Sequence, residues 1–185
     1  MIITTAYKST DFDRLCEISD ACYTGDERPP RDVMKSMVEV CDVFLAKTDH
    51  EHSFTSPAND DAQQCDSDCR HNWHKCSVCG HSRSEIEASP TNDIIVGFAL
   101  VRTSGNPYIW SIAVDKGFQG RGVGGNLLRE IIKKYTLQKA LCITLHVHED
   151  NPAQKLYFDY GFRMRDVVKY YYAPKNGLLM IRTLP

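Results

Sequence analysis

A mixed α/β fold, with a mostly antiparallel sheet covered by helices on both faces, is predicted by three observations on the sequence. Strand-like and helix-like segments alternate along the chain, and two central strands are joined by a tight Gly-Asn-Pro turn. A glycine-rich stretch then leads out of the second of these strands into an amphipathic helix. The central order strand–strand–helix–strand brings parallel as well as antiparallel neighbours into one sheet.

Each element has its own local reason. Ile2–Lys8 reads as a first strand. Ser9 and Thr10 can cap a helix through Tyr23, with Phe12, Leu15, Ile18 and Cys22 at helical spacing. TGDERPP breaks the chain, and Pro30 can open a second helix that carries Val33, Met37 and Val40. Asp42–Thr48 is the second strand. From Asp49 to Asp93 the chain turns rich in Asp, Ser, His, Asn and Cys and poor in aliphatics, an insertion of about 45 residues. Plain loops longer than ~12–15 residues are uncommon, so this segment is functional, disordered, or held by something other than a core. Ile94–Arg102 and Tyr108–Val114 form an antiparallel hairpin about the turn at Gly105, Asn106 and Pro107. After the glycines, Leu127, Leu128, Ile131, Ile132 and Tyr135 lie on one stripe of a helix. Leu141–Val147 is a strand, Pro152–Tyr160 a short helix, and Phe162–Tyr172 and Leu178–Leu184 two closing strands.

Composition bounds what the chain does. Its 185 residues suit one domain with a real core, and 42% hydrophobic with 25% charged residues is ordinary for a soluble globular protein. A net charge of −2 and a pI near 6.4 supply no basic field for nucleic acid or an anionic membrane. No apolar run reaches the ~18–20 residues of a membrane span, and the N-terminus lacks a signal peptide's pattern, so an intracellular protein, cytoplasmic or nuclear, is expected. Of 8 cysteines, Cys16, Cys22, Cys41 and Cys142 sit in apolar segments and read as small buried hydrophobes.

Five glycines fall between Gly117 and Gly125, where the backbone itself must approach something. A helix start leaves amide hydrogens unpaired and partly positive, which suits phosphate. Gly120-x-Gly122-x-x-Gly125 formally fits a dinucleotide fingerprint, but DKGFQ intervenes after Val114 and no further βαβ units follow. The missing Gly-Lys-Ser/Thr excludes a P-loop. A glycine-rich turn that holds nothing is the bland alternative.

Gln119-x-x-Gly122-x-Gly124, just beyond the strand SIAV, resembles the pyrophosphate loop of the GNAT acetyltransferases, and PAQKLYFDYGF resembles the second half of that family's signature. The resemblance covers Ile94 to the C-terminus well, Met1–Thr48 loosely, and the insertion not at all. It implies the GNAT fold, a single domain spanning 1–185 that is interrupted at 49–93, with the strands Tyr108–Val114 and Leu141–Val147 splayed apart. It also implies that Gln119, Gly120, Arg121, Gly122, Val123, Gly124 and Gly125 hold the pyrophosphate of acetyl-CoA. Ile112, Ala113 and Val114 would pair with the pantetheine arm, the Val114 amide serving as oxyanion donor. Tyr157 stands at the family's general-acid position for the leaving thiolate; the alternative is a ring that only packs on the sheet. Where the family usually has Asn three residues before an Ala, this chain has Asp150, with Asn151 one later. Either Asn151 serves after a one-residue deletion or Asp150 replaces it, and a shift of one residue reverses the face of His146.

His146 alternates with Leu145 and Val147 and so faces away from the side they bury. With Tyr108 it resembles the base pair of one branch of protein N-terminal acetyltransferases, and His148 shares its face. VVKYYYAPKNGLLMI resembles the closing hairpin of the RimI-like and eukaryotic N-terminal acetyltransferases, where tyrosines line a peptide groove; Tyr170, Tyr171 and Tyr172 stand there, with PKNG in place of the acidic turn. Asp26 and Glu27 lie at the family's first substrate loop, able to attract an amine or to be ordinary surface charges. The resemblance therefore implies an N-acetyltransferase acting on a peptide N-terminus, with a protein lysine or small amine as other acceptors, and a non-catalytic adaptor as the reading from a different class.

In the insertion, Cys76-x-x-Cys79-Gly is the tight thiolate turn of zinc knuckles, and Cys65-x-x-x-Cys69 can supply a second pair, with His71, His74 and His81 nearby. Four such ligands would leave no open position, so a zinc there is structural. Disulfides and a disordered loop with reactive thiols are the alternatives.

Overall fold

The computed structural model describes residues 1–23, 28–48 and 94–185. In chain order the elements are β1 (Ile2–Thr4), α1 (Phe12–Cys22), α2 (Arg31–Val40), β2 (Cys41–Thr48), β3 (Ile94–Arg102), β4 (Tyr108–Val114), α3 (Val123–Leu137), β5 (Cys142–His148), α4 (Ala153–Asp159), β6 (Arg163–Tyr172) and β7 (Lys175–Thr183). The strands form one sheet in the order β1-β2-β3-β4-β5-β7-β6. The pairs β1–β2, β3–β4, β5–β7 and β6–β7 are antiparallel, whereas β4–β5 is parallel.

Alternation along β2 divides the two layers. Val43 and Leu45 join Leu15 and Ile18 of α1, Met34 and Val38 of α2, and Phe98, Leu100 and Ala113 in one core. Phe44 points to the other face, where the ammonium of Lys134 in α3 lies 5.4 Å from its ring centroid. On that face Leu127, Leu128 and Ile131 are fully buried. Each such side chain contributes roughly 1.5–3 kcal/mol, so the stripe on α3 outweighs any local propensity term.

Three local expectations differ. The first strand stops at Thr4 rather than Lys8, because the Thr4 hydroxyl accepts the Ala6 amide at 3.1 Å and Thr5 O the Tyr7 amide at 2.9 Å, turning the chain out of the sheet. Ser9 and Thr10 do not cap α1 but lie in a 3₁₀ turn, Ser9–Asp11, which Asp11 closes by accepting the Lys8 amide at 2.9 Å. On α2 the core stripe is Met34 and Val38, with Met37 partly buried against it as expected, while Val33 and Val40 are 38% and 64% exposed. Both stripes have helical spacing, and only the position of the sheet selects one.

Among the described residues no helix is long and apolar enough to cross a membrane. The insertion, and with it Cys65, Cys69, Cys76 and Cys79, lies outside the described residues, as do Asp26 and Glu27.

Candidate active site

The site begins as a defect in the sheet. β4 and β5 pair only at Tyr108–Thr144 and Ile109–Leu145, at the start of β4. Beyond these pairs both strands border a cavity of about 1040 Å³ that runs from Tyr108 and His146 to Gly124 and Tyr157. A volume of this order suits a long, mostly apolar ligand with a few fixed polar contacts.

Strand parity decides which β4 groups face the cavity. The Asp115 amide bonds Val96 O at 2.9 Å, and the register pairs Gly97 with Val114 and Phe98 with Ala113. Hydrogen-bonded and non-hydrogen-bonded pairs alternate, so Ala113 is bonded to β3 while the polar groups of Ile112 and Val114 point away from it, toward the splay. The Ile112 carbonyl accepts the Tyr23 hydroxyl at 3.1 Å. The Val114 carbonyl accepts the Cys22 thiol at 3.1 Å and Gln119 Nε2 at 2.9 Å. Their amides have no such partner among the described residues and remain as donors along the cavity wall. Of the three β4 residues named in the sequence, Ala113 presents no backbone group there; its side chain is 4% exposed.

The glycine stretch closes one end. Gly122 is the N-cap of α3 at φ 79°, Gly120 has φ 72°, and a Cβ at either would meet nothing within 4 Å. The first helical bond runs from the Asn126 amide to Gly122 O at 3.0 Å, so the amides ahead of it are unpaired and lie open to a ligand. Gln119, Gly120, Gly122, Val123 and Gly124 line the cavity. Arg121 does not; its guanidinium lies 5.4 Å from the Phe118 ring centroid. Gly125 faces α4 instead, since a Cβ there would stand 2.5 Å from the Tyr160 hydroxyl. That glycine serves helix packing.

Tyr157, on α4, is 6% exposed and lines the cavity, with its ring edge-on to Phe162 at 6.0 Å. No partner for its hydroxyl occurs among the described residues. Burial holds that phenol strongly protonated. Asn151 lies beside it on the wall, its Oδ1 accepting the Ala153 amide at 2.9 Å at the start of α4. Asp150 is instead paired with Lys175 at 3.1 Å.

At the opposite end, Tyr108 Oη lies 3.0 Å from His146 Nδ1 and 3.2 Å from Tyr171 Oη. The Tyr171 ring stacks on His146 at 4.2 Å and 8°, and the Tyr172 hydroxyl donates to His146 O at 3.3 Å. Leu145 and Val147 are buried on the other side of β5, which leaves the imidazole in the cavity. Burial lowers the His146 pKa and raises that of Tyr108, so near neutral pH the imidazole is uncharged and able to accept a proton. His148 also lines the cavity, with Nδ1 accepting the Asp150 amide at 3.0 Å.

The three tyrosines do not alternate simply. Tyr170 has φ 58° within a bulge of β6 and is 70% exposed, outside the cavity, whereas the adjacent Tyr171 and Tyr172 both line it. Cys22, Tyr23 and Ser111 are further wall residues that sequence reasoning missed. The signal for Tyr23 was its place at the end of α1 just before the TGDERPP break; nothing local marks Ser111, which the Tyr23 hydroxyl reaches at 3.0 Å.

Comparison with known proteins bears on the fold and the family. A ribosomal protein bS18-alanine N-acetyltransferase of Haemophilus influenzae is 33% identical over 87 residues, 46% of this chain and 60% of that protein. The chain thus matches less than two thirds of the length of this curated relative. Among solved structures, the ribosomal-protein-S18-alanine N-acetyltransferase of Escherichia coli superposes with TM-score 0.67 at 16% identity, covering 99% of this chain and 93% of that one. A chain of the NatC complex bound to Gag peptide and CoA gives TM-score 0.70 at 15% identity, with 100% and 98% covered. These likenesses agree on the fold. The sequence profile of the acetyltransferase (GNAT) family matches residues 43–162, and the chain belongs to that family.

Proposed function

We propose that this protein transfers the acetyl group of acetyl-CoA to the N-terminal amine of a protein or peptide. The observation that carries this reading is His146, held by Tyr108 and Tyr171 at one end of the splayed cavity, opposite unpaired amides and glycines at the other. The residues present fit the cosubstrate. Amides preceding Asn126 would hold its pyrophosphate, the Ile112 amide its amide-bearing arm, and the Val114 amide the thioester oxygen as charge develops there. His146, directly or through a water, takes the proton of the attacking amine. The Tyr157 hydroxyl supplies a proton to the departing thiolate. The aromatic wall of Tyr23, Tyr108, Tyr171 and Tyr172 favours the first residues of a peptide over a small hydrophilic amine.

Peptides with free and blocked N-termini, a lysine-bearing blocked peptide and simple amines, each incubated with acetyl-CoA while free thiol is followed, test this reading. Turnover confined to free N-termini is expected; turnover of the lysine peptide or simple amines alone, or none, overturns it.

We further infer a single catalytic domain interrupted at residues 49–93, in a reducing cytoplasmic setting consistent with the free thiols Cys16, Cys22, Cys41 and Cys142. Ligand spacing alone supports a structural zinc on Cys65, Cys69, Cys76 and Cys79. About one zinc per chain in purified protein, lost on Cys76→Ser, is the expected result.

A further inference from the structure

Two residues that the reaction itself does not use meet beside the acceptor end. Glu149 follows β5, the strand that carries His146, and Asn176 lies at the start of β7, just after the turn that closes the tyrosine hairpin. The Glu149 carboxylate accepts the Asn176 amide through Oε1 at 3.1 Å and Asn176 Nδ2 through Oε2 at 2.8 Å. The Glu149 amide donates back to Asn176 O at 3.2 Å. Asn176 Oδ1 in turn accepts the Tyr170 amide at 3.2 Å. One asparagine is therefore bonded both to the residue that follows the strand bearing His146 and to the bulge bearing the tyrosines.

That bulge decides where the rings go. Tyr170 adopts φ 58°, which turns its own side chain outward and brings the adjacent Tyr171 and Tyr172 both to the cavity. A regular strand would send neighbouring side chains to opposite faces. The next residue on β7, Gly177, leaves the space that Tyr171 fills: a Cβ there would stand 2.8 Å from Tyr171 Cβ.

We propose that Glu149 and Asn176 are positioning residues that hold the Tyr171 ring on His146 and thereby shape the peptide-accepting end of the cavity. The role assigned to the peptide rests on the function proposed above; the ring placement does not. The bonds lower the Glu149 pKa, so the carboxylate remains an acceptor throughout the neutral range and the clamp is constitutive.

The chemistry of the pair supplies its own control. Glu149→Gln sets an NH₂ against the Asn176 NH₂, and Asn176→Asp sets two carboxylates together. The double variant Glu149→Gln/Asn176→Asp restores a complementary set: Gln Oε1 accepts the residue 176 amide, Gln Nε2 donates to Asp, and Asp still accepts the Tyr170 amide. Two readouts are taken on the full chain. The first is the ring-current shift of the His146 imidazole proton by NMR, assigned with His146→Gln. The second is KM for a free-N-terminus peptide against KM for acetyl-CoA. Each single variant is expected to lose the upfield shift and raise the peptide KM about tenfold, with the acetyl-CoA KM unchanged, and the double variant to recover both. Single variants with wild-type shift and wild-type peptide KM would overturn the proposal, as would a double variant that recovers neither. Wild-type protein that shifts the imidazole but acetylates no peptide defeats the functional reading while leaving the clamp standing.

Discussion

Tyr157 separates catalysis from stability at the level of one atom. Its ring is buried, while its hydroxyl, on the cavity wall, has no partner among the described residues, so deleting it removes no protein hydrogen bond. Tyr157→Phe should therefore leave the midpoint of denaturant unfolding unchanged or raised, yet lower kcat by roughly 10²–10⁴-fold, the usual span for a positioned acid. A fall in activity that tracks a fall in stability would assign the ring a packing role instead. His146 makes the complementary case in pH. Its pKa is lowered by burial from the ordinary 6.5, so the uncharged imidazole persists to more acid pH than in an open chain. Protonation removes the base, so log kcat/KM should fall with decreasing pH through a midpoint below 6.5. Tyr108 and Tyr171 face the same ring, while Tyr172 bonds the His146 carbonyl, and the shift on Tyr108 is upward, away from this window. His146→Gln should abolish that acid limb. His146 and Tyr108 were legible in the sequence because strand alternation and motif position are local, and the family resemblance paired them; what the structure adds is their direct 3.0 Å contact across 38 residues.

At the scale of elements, the α3–α4 contact tests why the glycine run is longer than ligand binding requires. Gly122 meets its φ with open space around it, whereas Gly125 is closed in by the Tyr160 hydroxyl. Gly125→Ala gains about 1 kcal/mol of helix propensity and incurs about 1–3 kcal/mol of overpacking, so a net loss of roughly 1 kcal/mol is expected in urea unfolding. In a Tyr160→Phe background the loss should shrink, because the nearest clashing atom is gone. Identical losses in the two backgrounds would show that the two helices do not meet through this pair. Sequence spacing placed Gly125 in the loop with its neighbours; the packing of α4 on α3 is what distinguishes it. The same holds for α2, where two stripes are equally periodic and the sheet buries Met34 and Val38.

For the whole molecule, the cavity couples folding to the cosubstrate. A ligand that binds the folded state alone at a hundredfold excess over Kd adds about 2.7 kcal/mol, which for a chain of this size is about 5–11 °C in Tm. Coenzyme A should produce a rise of that order, and Gly122→Ala, which puts a side chain at φ 79°, should reduce it. An unchanged Tm at saturating coenzyme A would remove the pyrophosphate assignment.

What the sequence determined by itself was everything set by short-range chemistry: the order of strands and helices, the two family motifs, the glycine turn, and the alternation of His146 with Leu145 and Val147. Only the tertiary structure decided which helix stripe is buried, that β4–β5 pairing ends at Ile109 and Leu145, that Ile112 and Val114 rather than Ala113 present their amides, and that Tyr171 and Tyr172 rather than Tyr170 enter the cavity. The physical reason is common to all four. Periodicity states which residues share a side, but burial, register and bulges depend on partners far along the chain, and a shift of one residue exchanges the two faces.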